Sequence, residues 1–268
     1  MTVRNNLFHL SWEEERTVKS DKNYYEGTCE LISGEGRIYT EFNGDVATRQ
    51  ITIINDLYYS SSSLEDWHED IGFLLYDGKK SELDLSESKL ITSLEFESEW
   101  DKAITTDVLN DYVSFSYGDA SIPLSKSKMI IHIVNNKGKW GKGFVVPLSK
   151  RYPAVKEEYL KWFSEKKDFF LGNVQFICVN GNERIYVANM LAQDGLKKSK
   201  DDNAQYVSYE ALKECLSLVS DYALKERLSI QLPMIGAGLG GGDWDAIFSL
   251  IKECLARKRI KCNIVKLG

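Results

Sequence analysis

Apolar residues in the second half of the chain alternate between short runs and longer amphipathic stretches. The run at residues 129–135, MIIHIVN, is almost continuously apolar, as expected for a strand buried on both faces of a parallel sheet. Residues 208–227 instead carry one apolar helical stripe. This alternation predicts a three-layer α/β/α domain with a mixed, mostly parallel sheet. The predicted strands are 113–117, 129–135, 174–180, 184–191, 229–235 and 261–267, and the predicted helices are 153–163, 208–227 and 244–258, with another starting near 143.

The first half of the chain has a different pattern. Residues 36–42 and 48–55 alternate apolar and polar side chains around an NGD turn, which is typical of a β-hairpin. Residues 71–78 could add a strand, a short helix is expected to begin at Leu64, and residues 93–104 are expected to be helical. We therefore predict a smaller, β-rich α+β domain over residues 1–110, followed by the α/β domain over residues 111–268.

Charge divides the chain at the same place. Residues 1–110 hold 10 basic and 23 acidic residues, a net charge of −13, whereas residues 111–268 hold 24 basic and 17 acidic residues, a net charge of +7. The two halves are expected to have different partners, or simply differently solvated surfaces. The five cysteines are scattered without CxxC spacing, which favours buried thiols in a reducing compartment over a metal site.

The segment GAGLGGGDW at residues 236–244 holds the most concentrated chemistry. It places five glycines in seven positions between a predicted strand and a predicted helix. Backbone N–H groups at a helix N-terminus favour an anion, and glycines allow those groups to approach it closely. We therefore predict a phosphate or diphosphate site, with a tight turn required only for packing as the alternative. Asp243 is predicted to cap the helix, with Trp244 in its first turn.

Two common phosphate motifs are excluded. A P-loop requires Lys followed by Ser or Thr after its glycines, and Asp243 stands there instead. Gly236, Gly238 and Gly241 match GxGxxG, but a dinucleotide fold needs a following strand that ends in an acidic residue, and residues 261–267 offer none. A nucleotide triphosphatase and a Rossmann dehydrogenase are therefore both disfavoured.

A second glycine-bearing loop follows the buried strand. Residues 135–143, NNKGKWGKG, combine three glycines, two amides and three lysines before another predicted helix. The two loops together could hold a diphosphate, with Asn135 or Asn136 donating to a sugar hydroxyl. Each lysine alone is equally compatible with a solvated surface.

Five segments and their order along the chain carry a family resemblance: VSFSYGDA, IIHIVNNKGKWGKGFVVPLSKRYP, LGNVQF, IYVANMLAQ and LPMIGAGLGGGDW. On these segments, residues 112–268 resemble a macrodomain, the ADP-ribose-binding module. The resemblance is greatest to the branch that contains the macrodomain of the poly-ADP-ribose-activated chromatin remodeller and, at more distance, the terminal ADP-ribose protein glycohydrolases. It implies that Asp119 accepts a hydrogen bond from the adenine amino group. The other ligand-binding residues that it implies are Asn135, Asn136, Gly138, Trp140, Gly141 and Gly143 in the first loop, Asn189 and Gln193 beside the distal ribose, and Gly236, Ala237, Gly238, Leu239, Gly240 and Gly241 in the second loop.

The sequence departs from the catalytic pattern of the glycohydrolase branch. That branch uses a lysine and an aspartate, and the matching positions here are Ala192 or Gln193 and Gly240. No catalytic residue, metal or cofactor is therefore assigned, and binding of ADP-ribose, of NAD-derived metabolites or of ADP-ribosylated protein or nucleic acid is the simpler expectation. The alternatives are an ADP-ribosyl hydrolase or ADP-ribose-1″-phosphate phosphatase, with Asp243, Asn136 and Asn189 as candidate polar groups, and an antitoxin or immunity protein against an ADP-ribosylating toxin.

The remaining expectation concerns location. No window reaches 18 apolar residues, and the first residues lack the apolar core of a signal peptide. A cytoplasmic protein with no membrane partner is therefore expected.

Overall fold

A computed structural model describes residues 21–31, 34–104, 111–199 and 201–267. Residues 21–104 are called the N-terminal part below, and residues 111–267 the C-terminal part. The predicted junction adjoins residues 105–110, which lie outside the described residues. Each part has its own main sheet.

The N-terminal part is built on a five-stranded antiparallel sheet with the strand order β4-β3-β2-β1-β7. Helix α1 packs on one face through the buried side chains of Phe96 and Trp100. It begins where Thr92 and Glu95 form a reciprocal capping box. The elements are β1 (Lys22–Leu31), β2 (Gly34–Asn43), β3 (Val46–Ile54), β4 (Leu57–Ser61), a small hairpin of β5 (Trp67–His68) and β6 (Gly72–Phe73), β7 (Lys89–Ile91) and α1 (Ser93–Ala103).

Two expectations for this part were wrong. No helix begins at Leu64, because Ser61 Oγ accepts from the Ser63 amide at 3.0 Å and donates to Asp66 at 2.7 Å. Such local side-chain bonds offer the backbone an alternative to a helix. The expected strand at 71–78 is reduced to the two residues of β6.

The C-terminal part contains a six-stranded sheet with the order β10-β11-β9-β12-β13-β8. Every neighbouring pair is parallel except β10 and β11, so the predicted mixed, mostly parallel sheet is confirmed. Strand β13 lies between β12 and β8 and pairs with both. The strands are β8 (Val113–Tyr117), β9 (Lys128–Asn135), β10 (Val174–Asn180), β11 (Ile185–Gln193), β12 (Ser229–Pro233) and β13 (Cys262–Lys266).

Helices cover both faces of this sheet. Met129 and Ile131 of β9 pack with the helices of one face, and Ile130 between them packs with those of the other. This alternation gives the three predicted layers. One face carries α4 (Tyr209–Glu226) and α5 (Trp244–Cys254), and the other carries α2 (Val145–Arg151) and α3 (Pro153–Glu165). None of the helices in the described ranges is long and apolar enough to cross a membrane.

The two parts contact each other around a 3-10 turn at Ala256–Lys258. The indole of Trp100 donates to the Arg257 carbonyl at 2.8 Å, and Ser62 Oγ donates to the Arg259 carbonyl at 3.0 Å. Lys22 of β1 forms an ion pair with Asp221 of α4 at 2.9 Å. The N-terminal part therefore supplies hydrogen-bond donors to the backbone of the C-terminal part.

Candidate functional site at the carboxyl edge of the sheet

The two glycine-bearing loops lie side by side. The first follows β9 and the second follows β12, and these two strands are parallel neighbours, so their carboxyl ends share one edge of the sheet. A Cβ atom added at Gly143 of the first loop would lie 3.4 Å from Leu239 of the second. Ligands of open parallel sheets bind at this kind of edge.

Most glycines of the second loop are explained by the protein itself, through packing and, at Gly236 and Gly241, also through a positive φ. An added Cβ at Gly236 would lie 2.8 Å from Ile247, at Gly240 2.8 Å from the Gly236 carbonyl, and at Gly241 2.5 Å from the Ala204 carbonyl. At Gly242 it would overlap Val207. Glycine is thus explained at these four positions without any ligand.

Gly238 is different. An added Cβ there meets no atom of the described chain within 4 Å, and its φ is not in the left-handed region. Neither internal packing nor backbone conformation accounts for glycine at this position. Its neighbours Ala237 and Leu239 are half-buried and 45% exposed, respectively.

The first loop is organised by Asn135. Its side-chain oxygen accepts from the Lys137 and Lys139 amides at 3.0 and 3.2 Å, and its amide donates to the Lys139 carbonyl at 2.7 Å. Tyr159 of α3 donates to the Asn135 carbonyl at 2.6 Å. The side-chain bonds of Asn135 to the Lys137 and Lys139 backbone therefore shape the loop, and the support from Tyr159 was not predicted from the sequence.

The glycines of the first loop divide in the same way as those of the second. Gly138 has a φ of +65°, and an added Cβ would overlap the Phe163 ring. Gly143 also has a positive φ. Gly141, in contrast, meets nothing within 4 Å and has no positive φ. Trp140, next to it, donates from its indole to the Val145 carbonyl at 3.1 Å and so ties the loop to the start of α2.

The connecting segment between β11 and α4 forms hydrogen bonds with both loops. Asn136 donates to Asp194 at 2.7 Å and accepts from the Gly195 amide at 3.0 Å. At the other end, the Tyr206 and Val207 amides donate to the Gly240 carbonyl at 2.8 and 3.0 Å. Gln193, the last residue of β11, donates to the Gly195 carbonyl at 2.9 Å. Asp194 was missed in the sequence because the predicted strand ended at residue 191, whereas the observed β11 runs to Gln193 and places Asp194 directly after it.

Asn189 lies deeper than the loops. Its side chain is fully buried in the middle of β11, where its oxygen faces His132 Nε2 at 2.6 Å and its amide donates to Gln175 at 2.9 Å. These three side chains form a polar row across adjacent strands. Burial lowers the pKa of His132 to about 4, although the hydrogen bond to Asn189 acts in the opposite direction. The contact of Asn189 with a ribose stays a prediction, and the structure supplies a role in holding neutral His132.

Two aspartates at this edge have defined local roles. Asp243 caps α5 by accepting from the Ala246 amide at 2.9 Å, as predicted. Asp119 accepts from the Ser121 amide at 2.9 Å in the turn after β8, and its side chain is half-buried. The structure thus leaves Asp119 at the carboxyl edge of the sheet and also gives it a turn-stabilising bond.

A cavity of about 390 Å³ lies elsewhere, in the N-terminal part. Its lining includes three carboxylates, those of Glu26, Glu95 and Glu99. An anion is disfavoured among carboxylates, so this cavity does not compete with the glycine loops for a phosphate. Within the described ranges no group of three or more His, Cys, Asp and Glu residues could hold a metal ion.

The fold and the paired loops define the class of protein: a three-layer α/β/α protein with its ligand edge at the carboxyl ends of parallel strands. No protein-family model matches the chain. The structure of a protein of unknown function from Bacteroides thetaiotaomicron is 37% identical, with a TM-score of 0.54, and the match covers 57% of this chain and 97% of that one. A macrodomain protein from Streptomyces coelicolor is 36% identical, with a TM-score of 0.51, over 58% of this chain and 99% of that one.

The chain therefore belongs to the macrodomain family, and the resemblance found in the sequence is confirmed. Among curated relatives, the ADP-ribose 1″-phosphate phosphatase of Candida albicans is 26% identical over 137 residues, which are 50% of this chain and 85% of that protein.

Proposed function

We propose that this protein binds ADP-ribose, free or attached to a macromolecule, between its two glycine loops. The observation that carries the proposal is the pair of unexplained glycines, Gly141 and Gly238. Each belongs to a loop at the carboxyl edge, and neither is required by a neighbouring atom or by its own φ. A bound diphosphate would explain both, because any side chain there would enter its space. Membership of the macrodomain family and the activity named for the Candida relative support the same ligand.

The same proposal assigns protein contacts to the adenine, the diphosphate and the distal ribose of ADP-ribose. The adenine amino group donates to Asp119, and the N-terminus of α5 lies beside the diphosphate, where its dipole favours negative charge. Asn136 and Gln193 lie near the distal ribose. Asn135, Gly138, Trp140 and Gly143 act by fixing the shape of the first loop, as their internal contacts indicate.

An enzymatic function has weaker support. Of the three polar groups suggested for hydrolysis, Asp243 is engaged as a helix cap and Asn189 is buried with partners inside the protein. Asn136 donates to Asp194 and accepts from the Gly195 amide, so its side chain also has protein partners. Phosphatase activity on ADP-ribose 1″-phosphate is the second candidate, favoured by the Candida relative, and phosphate release from that compound would test it directly.

We further propose that the N-terminal and C-terminal parts are two domains, with the macrodomain in residues 111–268 and an α+β domain before it. The acidic surface of the first domain is available to a basic partner, as an antitoxin or immunity role would require. The expected cytoplasmic location belongs to this proposal, and cell fractionation would test it.

The variant Gly238→Val tests the binding site. The Cβ atom of the new side chain meets no protein atom within 4 Å, so the melting temperature should change little. The β-branched side chain would fill the space of the diphosphate, so ADP-ribose binding should be abolished in calorimetry. Gly181→Val is the matched control, because Gly181 is also exposed and unobstructed but lies in the turn between β10 and β11, at the other end of β11. If both variants bind like the parent, the loop is only a tight turn and the proposal is wrong.

A further inference from the structure

Asp194 places a carboxylate beside the first glycine loop. It is the first residue after β11, whose carboxyl end lies next to that of β9 at the ligand edge. Its side chain is 62% exposed, unlike that of Asn189 in the same strand, which is fully buried. Asp194 is therefore exposed to solvent beside the first loop.

The carboxylate is held from several sides. Oδ1 accepts from Asn136 at 2.7 Å and lies 3.6 Å from the Lys137 ammonium. The Asp194 amide donates to the Tyr206 carbonyl at 2.8 Å, and the next amide, of Gly195, donates to Asn136 at 3.0 Å. Among the residues that the structure describes, none donates a hydrogen bond to Oδ2. The group is thus oriented in advance and keeps one oxygen for a ligand.

The charge of this group restricts what can bind next to it. A phosphate close to a carboxylate is repelled, whereas a hydroxyl donates a charge-assisted hydrogen bond to it. A carboxylate beside a diphosphate site therefore disfavours a nucleotide that ends in phosphate. It favours one in which the diphosphate is followed by a neutral group with hydroxyls.

We propose that Asp194 is the specificity-determining residue for the group beyond the diphosphate, accepting from the hydroxyls of a sugar and disfavouring a terminal phosphate. The ligand class is a nucleoside diphosphate esterified to a sugar, as opposed to a free nucleoside diphosphate or triphosphate. The inference rests on the proposed function, because it needs the diphosphate between the two loops. Asn136 is a positioning residue that acts through Asp194.

The test compares ADP-ribose with ADP in calorimetric titrations of the full chain and of Asp194→Asn. The variant keeps an oxygen for Asn136 but loses the negative charge. Affinity for ADP-ribose should fall about tenfold or more, as expected for loss of a hydrogen bond to a charged acceptor. Affinity for ADP should stay equal or rise, because the repulsion is removed. A purely structural role of Asp194 would not change the affinities for ADP-ribose and ADP in opposite directions.

Asp201→Asn is the matched control, since it removes one carboxylate from an exposed position of the same connecting segment. It should leave the preference for ADP-ribose over ADP unchanged. Equal changes for both ligands in Asp194→Asn, or no change for either, would overturn the inference while the proposed function stands. If the parent protein binds neither ligand, the proposed function is wrong and the inference fails with it.

Discussion

At the scale of single residues, the glycines separate what a sequence can reveal from what it cannot. The density of glycine in GAGLGGG indicated a phosphate loop, yet four of its five glycines are required by Ile247, Val207 and neighbouring carbonyls. The contacts with Ala204 and Val207 come from the segment before α4, so no pattern within the loop could assign them. The place of the loops could be predicted because it depends only on the order of strands and helices. The sequence could not show which glycines are required by neighbouring atoms and which, like Gly238, meet none.

Asp119 has a local bond and a proposed ligand bond, and one substitution separates them. Asp119→Asn keeps an oxygen for the Ser121 amide, so stability should be preserved. Its new amide donor would face the adenine amino group, and affinity for ADP-ribose should fall by about 1.5–3 kcal/mol. Affinity for the inosine analogue, which has no amino donor, should not fall. Calorimetry with both ligands checks this, and unchanged binding of both would remove Asp119 from the site.

His132 should make stability depend on pH. Its pKa is about 4 in the folded protein and about 6.5 when unfolded, so the unfolded chain binds more protons between these values. Stability is therefore expected to fall as the pH drops from 6.5 toward 4, by about 3 kcal/mol at the lower end. Urea unfolding of the parent and of His132→Gln at pH 7 and pH 5 measures the difference. Equal losses in both proteins would show that other groups carry the pH dependence.

At the scale of elements, the sequence was informative where the signals are local. Helices α1, α4 and α5 are capped by Thr92, Ser208 and Asp243, each of which accepts from a backbone amide of the first turn. The wrong expectation at Leu64 has an equally local cause, since serine side chains there bond to the backbone of a turn. The connecting segment between β11 and α4 was not predicted to join the two loops, because its partners are set by the three-dimensional arrangement.

The cap of α5 provides a test at this scale. Asp243→Ala removes the bond to the Ala246 amide and should lower the free energy of unfolding by about 0.5–2 kcal/mol. Binding of ADP-ribose should be largely retained, because removing a carboxylate near a diphosphate also removes repulsion. Asp245→Ala, in the first turn of the same helix but without a capping bond, should cost less. A loss of binding that exceeds the loss of stability would show that Asp243 contacts the ligand.

At the scale of the whole molecule, the contact between the two parts lay beyond the sequence. The division of charge at residue 110 suggested two units with different partners and did not indicate that the N-terminal part donates to the carbonyls of Arg257 and Arg259. Arg49 is almost fully buried and forms an ion pair with Glu41 at 2.7 Å. Its guanidinium lies over the rings of Phe96 and Trp100 and so supports the side chain that donates to Arg257. Neither a hydrophobic period nor a motif marks these residues.

Trp100→Phe tests how strongly the two parts depend on each other. The phenyl ring preserves most of the packing but leaves the Arg257 carbonyl without its indole donor, which should cost about 1–3 kcal/mol of stability. Trp67→Phe is the control, because Trp67 is 59% exposed and its replacement should change stability by less than about 0.5 kcal/mol. Chemical denaturation of both variants gives the comparison, and equal effects would mean that the contact adds little.

The position of β13 has a consequence for the order in which the protein can assemble during synthesis. The strand at Cys262–Lys266 joins β8 to β12, and the turn just before it carries the carbonyls that receive Trp100 and Ser62. A ribosome adds these residues after all the other described elements. Until they emerge, β8 has no hydrogen-bonded neighbour in the described sheet, β12 has an open edge, and the N-terminal part lacks the carbonyls that receive Trp100 and Ser62. Open strand edges invite pairing with other chains, so the described part of the chain is most exposed to aggregation immediately before β13 is made.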